Sequence, residues 1–152
     1  MKSRMLVVLA SLLLTAGMCF GQSTTKDSGQ NTGFPRVVAK LNMLNRTRPN
    51  PSATLFVPTA DGVFRATMVM ICTVPNGNSN GYWSGQLGWT DEDGTHAGQI
   101  SYVYTVTAAG AIQAYTDTVH AIKGAPLTVQ TDGVGLVDGT QYNAYIILEQ
   151  LE

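Results

Sequence analysis

Few residues of this chain are of types that do chemistry, and none falls into a complete catalytic pattern. His120 with Asp117 and nearby Ser or Thr has the makings of a nucleophilic triad, but the sequence holds no Gly-x-Ser-x-Gly elbow and nothing that marks an oxyanion site. A hydrolase is therefore the third-ranked function. Asp91, Glu92 and Asp93 crowd one turn beside Gly94, where three carboxylates would suit a hard cation such as calcium. The further ligands of a calcium loop are missing, so a solvated hairpin turn is the expectation. No CxxC, HExxH or glycine-rich phosphate loop is present, and no catalytic residue, cofactor or metal is expected.

Aromatic residues offer a different chemistry, since ring faces on an exposed sheet stack on sugars. Tyr82 and Trp83, beside a polar loop, are the candidate glycan-stacking residues. Trp89 shares a face with Trp83 on a continuous strand and is expected in the core, while Tyr82 points to the other face. Cys72 sits in Met68-Val69-Met70-Ile71-Cys72, an apolar run in which a thiol packs as a small hydrophobe. Asn45-Arg46-Thr47 fits the acceptor pattern for N-glycosylation, which matters only in a suitable host.

The N-terminus reads as an export signal. Lys2 and Arg4 precede an apolar run, Met5 to Ala16, and small residues at Cys19 and Gly21 place cleavage before Gln22. The run is too short for a transmembrane anchor, which needs about 20 residues. A lipoprotein reading would instead make Cys19 the modified residue, although Met18 is large for the position before it. After cleavage at 21, Cys72 is the lone cysteine and no intrachain disulfide can form. Residues 22–33 are Ser, Thr, Gly and Asn-rich and are expected to be a flexible linker, with one domain over 34–152.

Charged residues make up 12% of the chain, which excludes a basic nucleic-acid-binding domain and a highly charged disordered one. The charges are segregated: residues 22–65 carry net +4 and residues 66–152 net −7. This predicts either head-to-tail association of a dipolar molecule or a strand order that mixes the two halves in space.

From Phe34 onward the apolar positions keep a period near two and are cut repeatedly by Gly, Asn, Asp and Pro. Val37, Ala39, Leu41 and Met43 alternate as a strand; a helix reading of Val37, Val38, Leu41 and Leu44 competes but would end at Asn45 before two prolines. Strands are expected at 54–57, 63–74, 82–90, 96–107 and 142–151, about eight in all. Turns are placed at Pro58–Gly62, Pro75–Gly81, Asp91–Gly94, Ala108–Gly110, Lys123–Pro126, Thr131–Gly133 and Val137–Thr140. At Asp61-Gly62 the glycine is expected to supply positive φ. The fold class is all-β: an antiparallel β-sandwich, with jelly-roll topology.

Two strands are apolar on both faces. In 63–74 and 142–151 a single sandwich covers only one, and the second face needs another cover, most simply a second copy of the chain. Tyr145, Ile146 and Ile147 are the candidate interface residues, with only one of the two isoleucines able to face the core.

Thr54-Leu55-Phe56-Val57-Pro58 followed by Asp61-Gly62-Val63-Phe64-Arg65, then Gly88-Trp89-Thr90-Asp91 and the ending Tyr142-Asn143-Ala144-Tyr145-Ile146-Ile147-Leu148-Glu149, resembles a small domain of uncharacterised secreted bacterial proteins and phage tail proteins. The proline, aspartate-glycine turn and aromatic before the long strand are also similar to the complement-type globular head and tumour necrosis factor-like jelly rolls. The resemblance implies a trimer used for binding or assembly and carries no catalytic residue. Here Phe64 stands where tyrosine is common, and no collagen-like or coiled-coil stem is present. The expected function is that of a secreted, non-enzymatic extracellular structural or adhesive subunit that self-associates. The alternative is a carbohydrate-binding module with a glycan or cell-surface ligand.

Overall fold

In a computed structural model, residues 35–75, 81–104, 109–136 and 138–152 are described. The export signal, the linker and most of the loop at 75–81 lie outside them. Eight strands form: β1 (Arg36–Arg46), β2 (Ala53–Phe56), β3 (Gly62–Val74), β4 (Tyr82–Asp91), β5 (Gly94–Tyr104), β6 (Ile112–Ala121), β7 (Leu127–Val134) and β8 (Gln141–Gln150). The strand reading of 37–43 holds, because β1 finds an antiparallel partner in β8, with register shifts only at Val37/Ala39 and beyond Met43.

The strands make two antiparallel four-stranded sheets, ordered β1-β8-β3-β6 and β2-β7-β4-β5. First pairs with last, second with seventh, third with sixth and fourth with fifth. This is the order of a jelly roll, a long hairpin rolled over on itself. Contacts distant in sequence therefore dominate, and each sheet interleaves early and late strands. The segregated charges are mixed by that interleaving, so that Arg65 on β3 pairs with Glu149 on β8 at 2.8 Å. Of the two sequence readings of the segregated charges, this interleaving favours the one in which strand order mixes the halves in space.

The core lies between the sheets. Phe64, Ala66, Met68, Met70 and Cys72 point inward from β3, alternating with half-buried Val63, Arg65, Thr67, Val69 and Ile71. Tyr142, Ala144, Ile146 and Leu148 do the same from β8, and Trp83 and Leu87 face them from β4. A buried tyrosine needs a partner for its hydroxyl, and Tyr142 has the Thr131 hydroxyl beside it. Thr131 in turn accepts the backbone N–H of Asn50 at 2.8 Å, which fastens the proline-rich connection after β1 to β7.

Two turn expectations are corrected. Thr131–Gly133 is part of β7, because Asp132 and Gly133 pair with Ser84 and Trp83 of β4. Gly62 does not have positive φ; the position is small because a Cβ there would stand 2.7 Å from the Glu152 carbonyl oxygen. Positive φ is instead found at Gly94, at +127°, where the chain reverses between β4 and β5.

Candidate functional site

The two outward faces of the sandwich carry the sequence-predicted residues very differently. On the β1-β8-β3-β6 sheet, cross-strand register sets out the exterior row by row. Lys40, Ile147, Thr67 and Thr116 form one row, Asn42, Tyr145, Val69 and Ala114 the next, and Asn143, Ile71 and Ile112 a third. Ile147, Tyr145, Val69, Ile71, Ala114 and Ile112 thus make one apolar patch across three adjacent strands. Ile112 is 59% exposed and Ile147 40%. The row beyond Ile147 holds the Arg65–Glu149 ion pair, so one border of the patch is charged but locally neutral.

Of the candidate interface residues, Tyr145 and Ile147 lie on this face and Ile146 does not. Ile146 is 1% exposed and packed between the sheets. Alternation along β8 decides this, since neighbouring side chains of a strand point to opposite faces. The sequence named the β8 part of the patch. It missed Ile112 and Ala114, whose place beside Ile71 and Val69 depends on β6 pairing with β3.

On the β2-β7-β4-β5 sheet, Tyr82 faces outward with Tyr104 and Tyr102 of β5, at ring separations of 5.9 and 6.5 Å. Tyr102 also stacks on Tyr115 of β6 at 5.5 Å. Trp83 has no part in this cluster. It is fully buried, with its ring centroid 4.5 Å from that of Tyr142, so its face is closed to any ligand. Trp89 is the more accessible tryptophan: it is half-buried and stacked on His96 at 5.3 Å. The sequence ordering of the two is reversed because β4 runs from beneath the sheet interior at Trp83 to the rim at Trp89.

The remaining chemistry-bearing residues are engaged separately. His120 Nδ1 lies 3.0 Å from Glu92, while the Asp117 carboxylate accepts the backbone N–H of Thr118. The two side chains leave opposite faces of β6, since Asp117 pairs with inward Ala66 and His120 with outward Val63, so the structure does not bring them together as a dyad. In the acidic turn Asp91 contacts His96 Nε2 at 2.8 Å and accepts the Asp93 N–H at 2.9 Å. The His96 hydrogen bond is the main reason the Asp91 carboxyl is held below its ordinary range. Glu92 turns away to His120. Among the described residues, no group of three or more His, Cys, Asp or Glu is placed to hold a metal ion. Cys72 is buried, and burial pushes its thiol upward in pKa. Asn45 is exposed at the end of β1, and its N–H donates to the Asn143 side chain at 2.7 Å.

No protein-family model and no curated protein matches the chain. Solved structures to which the chain shows some likeness include the Clostridium thermocellum N-terminal endo-1,4-β-D-xylanase 10B, CBM22-1-GH10 modules, complexed with xylohexaose. The match has 9% identity and a TM-score of 0.42, and covers 78% of this chain and 25% of that one. This chain thus spans about a quarter of the xylanase fragment's length. Eiger TNF from S. frugiperda matches at 11% identity and TM-score 0.37, over 78% of this chain and 88% of that one. A protein of infectious bursal disease virus, Gx strain, matches at 11% and 0.37, over 77% of this chain and 33% of that one. All three likenesses lie at 11% identity or less and at TM-scores below 0.5.

Proposed function

We propose that this protein is a secreted, non-enzymatic β-sandwich that works by self-association, as an extracellular structural or adhesive subunit. One observation carries the reading: Ile147, Tyr145, Val69, Ile71, Ala114 and Ile112 form a contiguous apolar patch on a sheet whose other face already completes the core. Scattered exposed apolar residues need no explanation, but a patch spanning three strands loses free energy to water that a second copy recovers. Covering the exposed half of one such side chain is worth roughly 1 kcal/mol. The ion pair at the border presents no net charge to an identical surface, while Lys40, in the row of Ile147, sets a positive charge at the β1 edge of the patch. Export rests on the basic and apolar N-terminal segment, and the trimer is the stoichiometry implied by the resemblance to tumour necrosis factor-like jelly rolls.

Light scattering on the secreted chain tests the proposal. The expected mass is an integral multiple of the monomer, three for a trimer, and Ile147→Lys or Ile112→Lys is expected to give a folded monomer. A parent protein that is monomeric at high concentration, or an oligomer indifferent to both substitutions, overturns it.

A further inference from the structure

The outward face of the β2-β7-β4-β5 sheet carries two adjoining hollows that self-association leaves unused. The smaller, about 190 Å³, is lined by Tyr82, Tyr102, Tyr104 and Gln99. The larger, about 410 Å³, runs over Gln86, Gly88, Thr90, Thr95, Ala97, Thr128 and Gln130, among others. Cross-strand register joins them: Gln99 pairs with Gln86, which pairs with Gln130, so three glutamines form one row across β5, β4 and β7. Gln130 donates to Gln86 at 2.8 Å, leaving donor and acceptor capacity in the row for a bound molecule. The next row holds Ala97, Gly88 and Thr128, and after it come Thr95 and Thr90. Gly88 keeps the floor open, because a Cβ there would lie 2.6 Å from the Thr128 hydroxyl oxygen.

We propose that this strip binds an extended, neutral oligosaccharide, with the tyrosine hollow stacking one sugar ring and the glutamine and threonine rows taking the hydroxyls of those that follow. The two hollows are lined by amides, hydroxyls, small residues and aromatic rings, together with Leu87, Pro126 and His96. An acidic residue of the same face, Asp132, lies in the row of Ser84 and Tyr102, between the Tyr82–Tyr104 row and the glutamine row, and lines neither hollow. A lining without Lys, Arg, Asp or Glu offers nothing to a phosphate, a nucleic acid or an acidic glycan. It matches a ligand that is itself a row of neutral donors and acceptors with apolar ring faces. From Tyr82 to Thr90 the strip follows β4 for about 27 Å, at about 3.4 Å per residue, long enough for several linked rings.

Calorimetric titration of the whole secreted chain tests the site. The probes are the hexasaccharides of β-1,4-glucose, β-1,4-xylose and β-1,3-glucose, with hexagalacturonate as the charged control. Binding of at least one neutral hexasaccharide is expected, with an affinity that changes little between low and high salt. Tyr104 is 44% exposed, and Tyr104→Ala removes a stacking face outside the core; it should weaken binding by about tenfold. Ala97 is exposed, so Ala97→Glu sets bulk and charge in the groove of a folded protein and should abolish binding. Unchanged circular dichroism and melting temperature establish that both variants are folded. Ile147→Lys, on the opposite sheet, should keep the parent's affinity per chain whatever its mass, which separates this site from self-association. Failure of all three neutral sugars, preference for hexagalacturonate, or parental affinity in both strip variants overturns the proposal.

Discussion

Ile146 and Ile147 are adjacent in β8, yet Ile146 is 1% exposed between the two sheets and Ile147 is 40% exposed on the outside. The same side chain therefore does two jobs one residue apart. Ile146→Ala should lower stability by about 2–5 kcal/mol through lost burial and the cavity left behind. In a monomeric background such as Ile112→Lys, Ile147→Ala should cost under about 1 kcal/mol. Urea unfolding followed by tryptophan fluorescence measures both, and equal losses would contradict the assignment of faces.

Trp83 places its ring against Tyr142 but finds no partner for its Nε1–H among the described residues. Trp83→Phe gives up area but also removes a buried donor whose desolvation costs about 1–3 kcal/mol, so its net effect should be small. Trp83→Ala has no such compensation and should cost about 3–5 kcal/mol. Thermal melts of the two variants test the contrast; equal destabilisation would mean that the indole N–H is satisfied.

Gly85 on β4 and Met68 on β3 meet across the sandwich so closely that a methyl at 85 would overlap the Met68 sulfur. Gly85→Ala should destabilise by about 1–3 kcal/mol through overpacking. Met68→Ala should be costly alone, and the double variant should be more stable than the sum of the two losses by more than about 0.5 kcal/mol. An additive cycle would show that the sheets shift apart at no cost.

Burial raises the pKa of the Cys72 thiol and of the Tyr142 phenol, in the tyrosine against opposing but smaller effects led by the Thr131 hydrogen bond. In the unfolded chain these groups ionise from their ordinary values near 9.0 and 10.0, while the native forms still hold their protons. The unfolded state then binds fewer protons, so stability is at its full value below pH 9 and falls as pH rises above it. Denaturation midpoints measured from pH 7 to the alkaline side should fall, and Cys72→Ala with Tyr142→Phe should flatten the fall. A thiol reagent should label Cys72 only after denaturation; rapid labelling of the native protein would place that thiol at the surface.

Asp91 works in the opposite sense, its carboxyl being lowered first by the His96 hydrogen bond. The stabilisation it gives the β4–β5 turn is present above the ordinary value of 3.8 and is lost as pH falls through the native value. The protection of the Asp93 N–H, its exchange rate measured relative to that of an unstructured amide at the same pH, should fall with acidification in the parent, and Asp91→Asn should remove that dependence.

What the sequence determined by itself was whatever depends on a residue and its near neighbours. Period-two alternation marked six of the eight strands, all but β6 and β7, and Pro, Asn, Asp and Gly marked most of the breaks. The same alternation required Ile146 and Ile147 to part company, because a strand has two faces whatever it pairs with. Only the tertiary structure decided what pairing distant strands brings about. Trp83 became core and Trp89 rim because β4 lies between β5 and β7 under Tyr142. Thr131–Gly133 looks like a turn in isolation and is a strand because β4 satisfies its backbone. The sequence set Tyr82 beside Trp83; the fold buried Trp83 and gave Tyr82 the company of Tyr102 and Tyr104 through the β4–β5 register, and the glutamine row came from residues 86, 99 and 130 by the same means. Each strand of a jelly roll meets partners far along the chain, and no local pattern of residues carries the register that joins them.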